Sequence, residues 1–456
     1  MLAPSATLGP AARGHGPGAG RSQLARVPAG LRALSPVARR AAARCAAHGE
    51  ALPGLGAWPD RPPTISRFTP PAQRLPLLQP TAPAPRARHF DGIDILRGVA
   101  ALLVLAYHVK EIVPWAGSPR EGLGWFIQEG WLGVDIFLGI SGFVIAWTAF
   151  AGVDAEGTDF RRNFIRHRLA RIVPLYLLTC LVVIFLIDAR WLLVQPVDKL
   201  WAHLVSHALF IHNLFPGTHG SINGPSWSIG LEMQFYAVMC LLAPRLLKMR
   251  PAALVLTCVL VAAAWRTGVA IATEDMNGIV RFIYATQLPG VIDQFGLGIG
   301  LALLLRTRPG LLAPGWGRFA LAAGAAAALF ALAATLQMPT GYLNSPAQIV
   351  WWRPILSLAC TSLLIAALTL PIASAAVLRP LRYLGELSYG IYLWHMPVLL
   401  ALTRSIPELQ AERLLLAVLL GATALAAATW HLLEKPCIQK YRRPQSQAAP
   451  GKPQPD

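Results

Sequence analysis

Residues 93–113 form an unbroken, mostly apolar run of about 20 residues, which as a helix rising about 1.5 Å per residue crosses the hydrocarbon of a bilayer. The run nonetheless contains Asp94, Arg97 and His108. An ionisable side chain centred in a membrane span costs roughly 2.5 kcal/mol or more, so such residues are kept where they serve function. Arg97 and His108 stand about 16 Å apart along the axis, three helical turns, and project to similar sides. One helix therefore presents a guanidinium near one membrane face and an imidazole near the other.

Nine further apolar runs follow, at 131–150, 172–188, 227–244, 252–272, 281–305, 318–337, 350–370, 384–403 and 413–433. This repetition predicts an all-α, polytopic membrane bundle of about ten transmembrane helices and excludes an ordinary soluble domain. The composition agrees: 55% hydrophobic, 14% charged, mean hydropathy +0.49. A formal charge of +18 would suggest nucleic acid in a soluble protein. Here the charge sits in loops and tails, so the lipid bilayer is the expected partner and nucleic acid is not. The connection at 190–226 is long, and its apolar piece at 204–215 predicts a re-entrant or interfacial segment. Four of the six cysteines fall in predicted spans and none forms a CxxC pair, so neither a disulfide framework nor a metal site is expected.

Orientation follows from the loops. The loops after spans two, four, six and eight, with the C-terminal tail, hold 18 Lys and Arg; the alternate set holds seven. The bias predicts a multi-pass protein of the inner (cytoplasmic) membrane with both termini cytoplasmic and the 195–225 loop outside. Residues 1–88 are rich in Ala, Pro and Gly and carry twelve arginines against two carboxylates, Glu50 and Asp60. They show no helical or strand period, so a disordered basic extension is expected. A lipid-touching tail, a transit peptide and a start assigned too early all fit that composition. The absence of an apolar h-region argues against a cleaved secretory signal. Residues 437–456 read as a short cytoplasmic tail.

With this orientation, His108, Asp135, Glu232 and His395 fall in the outer half of four different spans, where ionisable groups tend to pair or face a wet cavity. Arg97 lies near the inner face with Arg166, Arg168 and Arg171, whose planar forks suit phosphate. Positive-inside topology by itself accounts equally well for Arg166. Asp94 either pairs with Arg97 or caps the helix start. Ser141 and Gly142, in GISGF, read first as residues permitting close helix approach. Trp131, Trp227, Trp351 and Trp352 read as interfacial anchors.

Arg-x10-His in the first span is joined, in order, by WLGVDIFLGISGFVI (131–145), SWSIGLEMQFY (226–236) and LGELSYGIYLWHMPV (384–398). Together these blocks resemble the acyltransferase-3 family of integral-membrane acyltransferases over about residues 90–436. The resemblance implies transfer of an acyl group, acetyl above all, from cytoplasmic acyl-CoA to a hydroxyl of an extracytoplasmic sugar or glycan, without a metal. It implies His108 as general base with Glu232 as its orienting or proton-accepting partner, while a covalent acyl-imidazole route stays open. Arg97, Arg166, Arg168 and Arg171 become the acyl-CoA phosphate site. Asp94, Asp135, Ser141, Trp227, Tyr236, Tyr389 and His395 become substrate-contacting or supporting residues. Two departures stand out. Met233 follows Glu232 where many members carry a second acid, and no soluble esterase-like domain is expected after Lys435. The competing class is a transporter using His and Glu as a proton relay; it is disfavoured by the lack of a visible internal repeat.

Overall fold

The computed structural model describes residues 90–115, 117, 122–337 and 345–441. The expected N-terminal extension at 1–88, and the tail beyond residue 441, lie outside the described residues. Among the described residues there is no strand. Ten helices of 18 residues or more account for the bundle: α1 (Asp91–Ile112), α2 (Leu132–Glu156), α3 (Phe160–Val182), α4 (Trp227–Leu246), α5 (Pro251–Ala272), α6 (Leu288–Thr307), α7 (Trp316–Leu336), α8 (Pro346–Thr369), α9 (Ser388–Ser405) and α10 (Ala411–Thr429). Helices are the expected outcome of such runs, because in hydrocarbon each backbone polar group must find its partner within the segment.

Eight continuous segments are long and apolar enough to cross a membrane, and one of them, Leu132–Ile187, contains both α2 and α3. The chain reverses between these two at Gly157, which takes φ 54°. Arg168 donates to Thr148 Oγ1 across the reversal. Ties at each end show α1 to α3 and α6 to α10 alternating in direction. At one end Ser374 donates to Asp91, Arg306 to Asp154, and the Gly315 N–H to the Thr369 carbonyl. At the other, Trp115 donates to Glu412, Gln337 to Glu129, and Arg404 to Asp188.

Helix α1 lies inside the bundle against α2, α8, α9 and α10. Its Ala100, Ala101, Val104, Leu105 and Val109 are wholly buried. Close approach on that side is made possible by glycine: a Cβ on Gly133 would stand 2.4 Å from the Ala100 carbonyl oxygen. Gly142 does the same against α6, where a Cβ would lie 2.4 Å from the Phe295 oxygen. Leu256 and Leu260 of α5, Leu321 of α7, and Leu416 and Leu420 of α10 are exposed, forming the lipid-facing surface of the bundle.

The 190–226 connection contains the helix Val197–Ala208, whose Val197, Trp201 and Val205 are exposed in a stripe while Ser206 and His207 are buried. That is the pattern of a helix lying in the interface. Beyond it the chain folds inward. Ile222 is held at φ 61°, a costly conformation for a β-branched residue. Asn223 Nδ2 then donates to the Leu393 carbonyl at 3.0 Å, tying the connection to α9.

Candidate active site

Two cavities in the bundle lie on either side of a shared wall. The first is lined by Arg97 of α1, Ser141 of α2, Arg168 and Arg171 of α3, Glu232 and Tyr236 of α4, and Tyr389 of α9. Three guanidinium groups and one carboxylate line this cavity. Glu232 Oε1 accepts from Tyr236 Oη at 2.6 Å and from Ser141 Oγ at 3.5 Å. The Arg168 guanidinium stands 5.4 Å above the rings of both Tyr236 and Phe164, a cation–π clamp that holds its plane. Asp94 lies 3.9 Å from Arg97, the pairing geometry rather than that of a cap. Tyr389 Oη donates to the Ile172 carbonyl at 2.7 Å and so joins α9 to α3.

The second cavity, of about 380 Å³, is lined by His108, Tyr107, Lys110, Glu111, Glu129, Trp131, Asp135, Trp227, Phe282 and Arg353. His108 Nδ1 lies 2.9 Å from the Val104 carbonyl and 3.3 Å from His395 Nε2. A carbonyl oxygen can only accept, so Nδ1 must carry the proton and Nε2 is left with its lone pair. The imidazole is thereby fixed as the tautomer that can act as a base through Nε2. His395 is wholly buried, and its ring centroid is 5.0 Å from that of His108.

Val134, Leu138 and Tyr392 line both cavities, so the wall between them is one residue thick. Tyr392 is anchored there: its hydroxyl donates to the Pro225 carbonyl at 2.7 Å and pairs with Ser228 Oγ at 2.7 Å.

Several placements differ from the sequence reading. Glu232 does not meet His108; it lies with the arginines, on the far side of the Tyr392 wall. Depth along a helix was legible from the sequence, but the direction in which the side chain leaves the helix was not. The partner of His108 is His395. Arg166 is exposed and lines neither cavity, so it stays a surface charge, unlike Arg168 and Arg171 on the same helix. Ser141 does not serve helix approach, which falls to Gly142; it faces the arginine cavity. Trp227 lines the histidine cavity rather than only anchoring the interface. Asp135 is buried between Arg353 (3.3 Å) and Gln294, which donates to it.

The sequence reading missed a network behind Asp135. Arg266 donates two bonds of 3.0 Å to Asp293 Oδ2, which also accepts from Ser357 at 3.4 Å, and Arg266 and Asp293 are both fully buried. Arg266 and Asp293 were visible as ionisable residues inside apolar runs, the same signal that marked Arg97. A histidine cluster in the 190–226 connection was also missed. His207 and His212 stack with centroids 4.0 Å apart, and His207 bonds Tyr176 Oη at 2.8 Å and Ser221 Oγ at 2.9 Å. Burial lowers the pKa of His207 to about 2, helped by the neighbouring His212. Burial likewise lowers His212 and His219 to about 4. Among the described residues no three His, Cys, Asp or Glu side chains come together as a metal site.

Residues 90–433 match the acyltransferase-3 family model, described as an acyltransferase domain. The chain is 27% identical over 382 residues to the acyltransferase MdmB of Streptomyces mycarofaciens, covering 79% of this chain and 94% of that protein. It is 28% identical over 337 residues to the exopolysaccharide production protein ExoZ of Rhizobium meliloti, covering 71% and 94%. It is 24% identical over 371 residues to the peptidoglycan O-acetyltransferase OatA of Listeria monocytogenes, covering 76% of this chain and 56% of that longer one. No solved structure matches the chain.

Proposed function

This chain belongs to the acyltransferase-3 family and is an acyltransferase, and on that premise we propose that it moves an acyl group, acetyl in the simplest case, from acyl-CoA in the arginine cavity to a sugar hydroxyl in the histidine cavity. The observation that carries this reading is the pair of cavities set back to back across Val134, Leu138 and Tyr392, with α1 supplying Arg97 to one and His108 to the other.

The arginine cavity suits the donor. Arg97, Arg168 and Arg171 offer planar, permanently charged forks to the phosphates of CoA. Asp94 offsets part of the Arg97 charge, and Glu232 is engaged by Tyr236 and Ser141, which leaves guanidinium groups to meet a phosphate. The excess of Lys and Arg in the loops at the arginine end supports a cytoplasmic position for that end, where acyl-CoA is made. The acceptor then enters from the outer side, where His108 waits.

In the transfer step His108 Nε2 takes the proton of the acceptor hydroxyl as its oxygen attacks the thioester carbonyl. The tetrahedral intermediate collapses with loss of the CoA thiolate, and the imidazolium returns its proton to that sulfur. One C–O bond forms, one C–S bond breaks, and the imidazole ends as it began. The Val104 carbonyl and His395 hold Nδ1 throughout, so the ring cannot turn its protonated nitrogen to the substrate. MdmB and OatA bear names of acyl-transfer enzymes, and the name of ExoZ refers to an exopolysaccharide; these names support a sugar or glycan acceptor.

The test is turnover of radiolabelled acetyl-CoA by the purified full chain in nanodiscs. Thioester cleavage is expected, lost in His108→Ala. Proton-coupled substrate flux in proteoliposomes with no thioester cleavage would assign the protein to transport instead.

A further inference from the structure

Part of the wall of the histidine cavity is built of aromatic rings meeting at a corner. Trp227 and Phe282 both line the cavity, with centroids 5.4 Å apart and planes at 83°. His219 stacks on Trp227 at 5.2 Å and 20° but does not line the cavity. It therefore backs the indole and fixes its plane, leaving the other face to the cavity. The corner is rigid in a second way, since Trp227 follows directly on the Gly224–Ser226 turn, itself held by the Tyr392 bond to Pro225.

The same cavity is lined by a carboxylate prepared to receive hydroxyls. Glu129 Oε1 accepts from Gln337 Nε2 at 2.7 Å, and Oε2 accepts from Trp131 Nε1 at 2.7 Å. Each oxygen keeps a further lone pair, and Gln128 adds an amide to the same lining. The charges of the lining do not balance. Among the described residues Lys110 and Arg353 stand against Glu111, Glu129 and Asp135. Lys110 pairs with Glu111 at 2.6 Å and Arg353 with Asp135 at 3.3 Å, which leaves Glu129 as the excess negative charge.

We propose, resting on the acyl-transfer reading above, that the Trp227–Phe282 corner and Glu129 form the seat of the acceptor and that the seat takes an uncharged pyranose ring and rejects an acidic one. A pyranose has an apolar C–H face and a rim of hydroxyls. The C–H face carries slight positive charge and settles on the negative face of an aromatic ring. The rim hydroxyls donate to Glu129, and one of them is presented to His108 in the same cavity. A uronic or sialic acid ring would bring its own carboxylate beside Glu129 in a site partly shielded from water, where like charges repel most strongly.

The experiment is binding of the purified full chain, in detergent, to an array carrying uncharged cello-, malto- and chito-oligosaccharides beside oligogalacturonides and sialylated glycans, with CoA binding measured in parallel. Binding confined to uncharged glycans is expected. Trp227→Ala should weaken it about tenfold or more, and Trp227→Phe should restore part of it because an aromatic face remains. Glu129→Gln should raise binding of the acidic glycans relative to the uncharged ones. Preference for acidic glycans by the unmodified chain, or uncharged-glycan binding indifferent to Trp227→Ala, would overturn the proposal. So would glycan binding wholly absent from a chain that binds CoA, an outcome that leaves the donor reading standing. Failure to bind CoA or to cleave acetyl-CoA would instead strike at the acyl-transfer reading itself.

Discussion

His395 Nε2 stands 3.3 Å from His108 Nδ1, and the same Nδ1 is 2.9 Å from the Val104 carbonyl. Two acceptors thus face one N–H, and the opposite nitrogen of His108 is the one free to meet substrate. His395 packs against His108 and Tyr392 and lines neither cavity, so it is a positioning residue. His395→Gln should lower kcat by on the order of tenfold to a hundredfold and shift a limb of the pH–rate profile. An even loss of rate at every pH, with no shift, would mean that His395 only fills space.

The three turns separating Arg97 from His108 should separate donor binding from chemistry. His108→Ala should abolish transfer while CoA still binds. Arg97→Ala should weaken CoA binding by about 1.5–3 kcal/mol, one to two decades in Kd, and Arg97→Lys by less, because charge remains and only the fork is lost. Calorimetric titration of the purified variants with CoA decides it; the reverse pattern would reject the division of roles.

The buried pair Arg266–Asp293 should behave differently from the half-exposed pair Arg306–Asp154. Asp293→Asn leaves Arg266 uncompensated in the bundle and should cost roughly 3–5 kcal/mol. The double replacement Arg266→Met with Asp293→Leu should regain much of that. Asp154→Asn should change stability by about 1 kcal/mol or less. Thermal melts in detergent measure all three, and equal effects at the two sites would contradict the burial argument.

Stability should fall on mild acidification. His207, His212 and His219 have folded-state pKa values depressed by burial, to about 2, 4 and 4, below an ordinary value of 6.5. Below pH 6.5 the unfolded chain binds more protons than the folded one. Their contribution is therefore intact above pH 6.5 and lost as pH drops toward 4. A melting temperature lower by roughly 5 °C at pH 5 than at pH 7 is expected. A flat profile over that range would show that the cluster does not resist protonation.

Sidedness can be read by labelling. In a cysteine-free background, Gly217→Cys should react with an impermeant maleimide in sealed cells, and Arg162→Cys only after permeabilisation. Both positions are exposed at opposite ends of the bundle. Labelling of Arg162→Cys in sealed cells would invert the orientation and with it the side from which the donor enters.

The sequence by itself determined the architecture, and the reason is the solvent. Runs of apolar residues long enough to cross a bilayer leave the backbone no alternative to helices, so a long helix stands at each run, within a few residues at most boundaries. The exception is α3, which begins at Phe160 rather than 172 and takes in arginines that the hydropathy left in a loop. It also marked Arg97 and His108, because an ionisable residue inside such a run is costly and therefore informative. What it could not supply was direction around the helix axes. Glu232 and His108 lie at similar depth from their helix ends, yet the packing of α4 against α2 and α3 turns Glu232 toward the arginines. The packing of α9 beside α1, in turn, brings His395 to His108. Arg353 lies near one end of its apolar run, and α8 carries it into the bundle to meet Asp135. Which polar groups share a cavity depends on the rotation and crossing of helices far apart in the chain. That is settled by side-chain interlocking at contacts such as Gly142 against Phe295, and only the tertiary structure decides it.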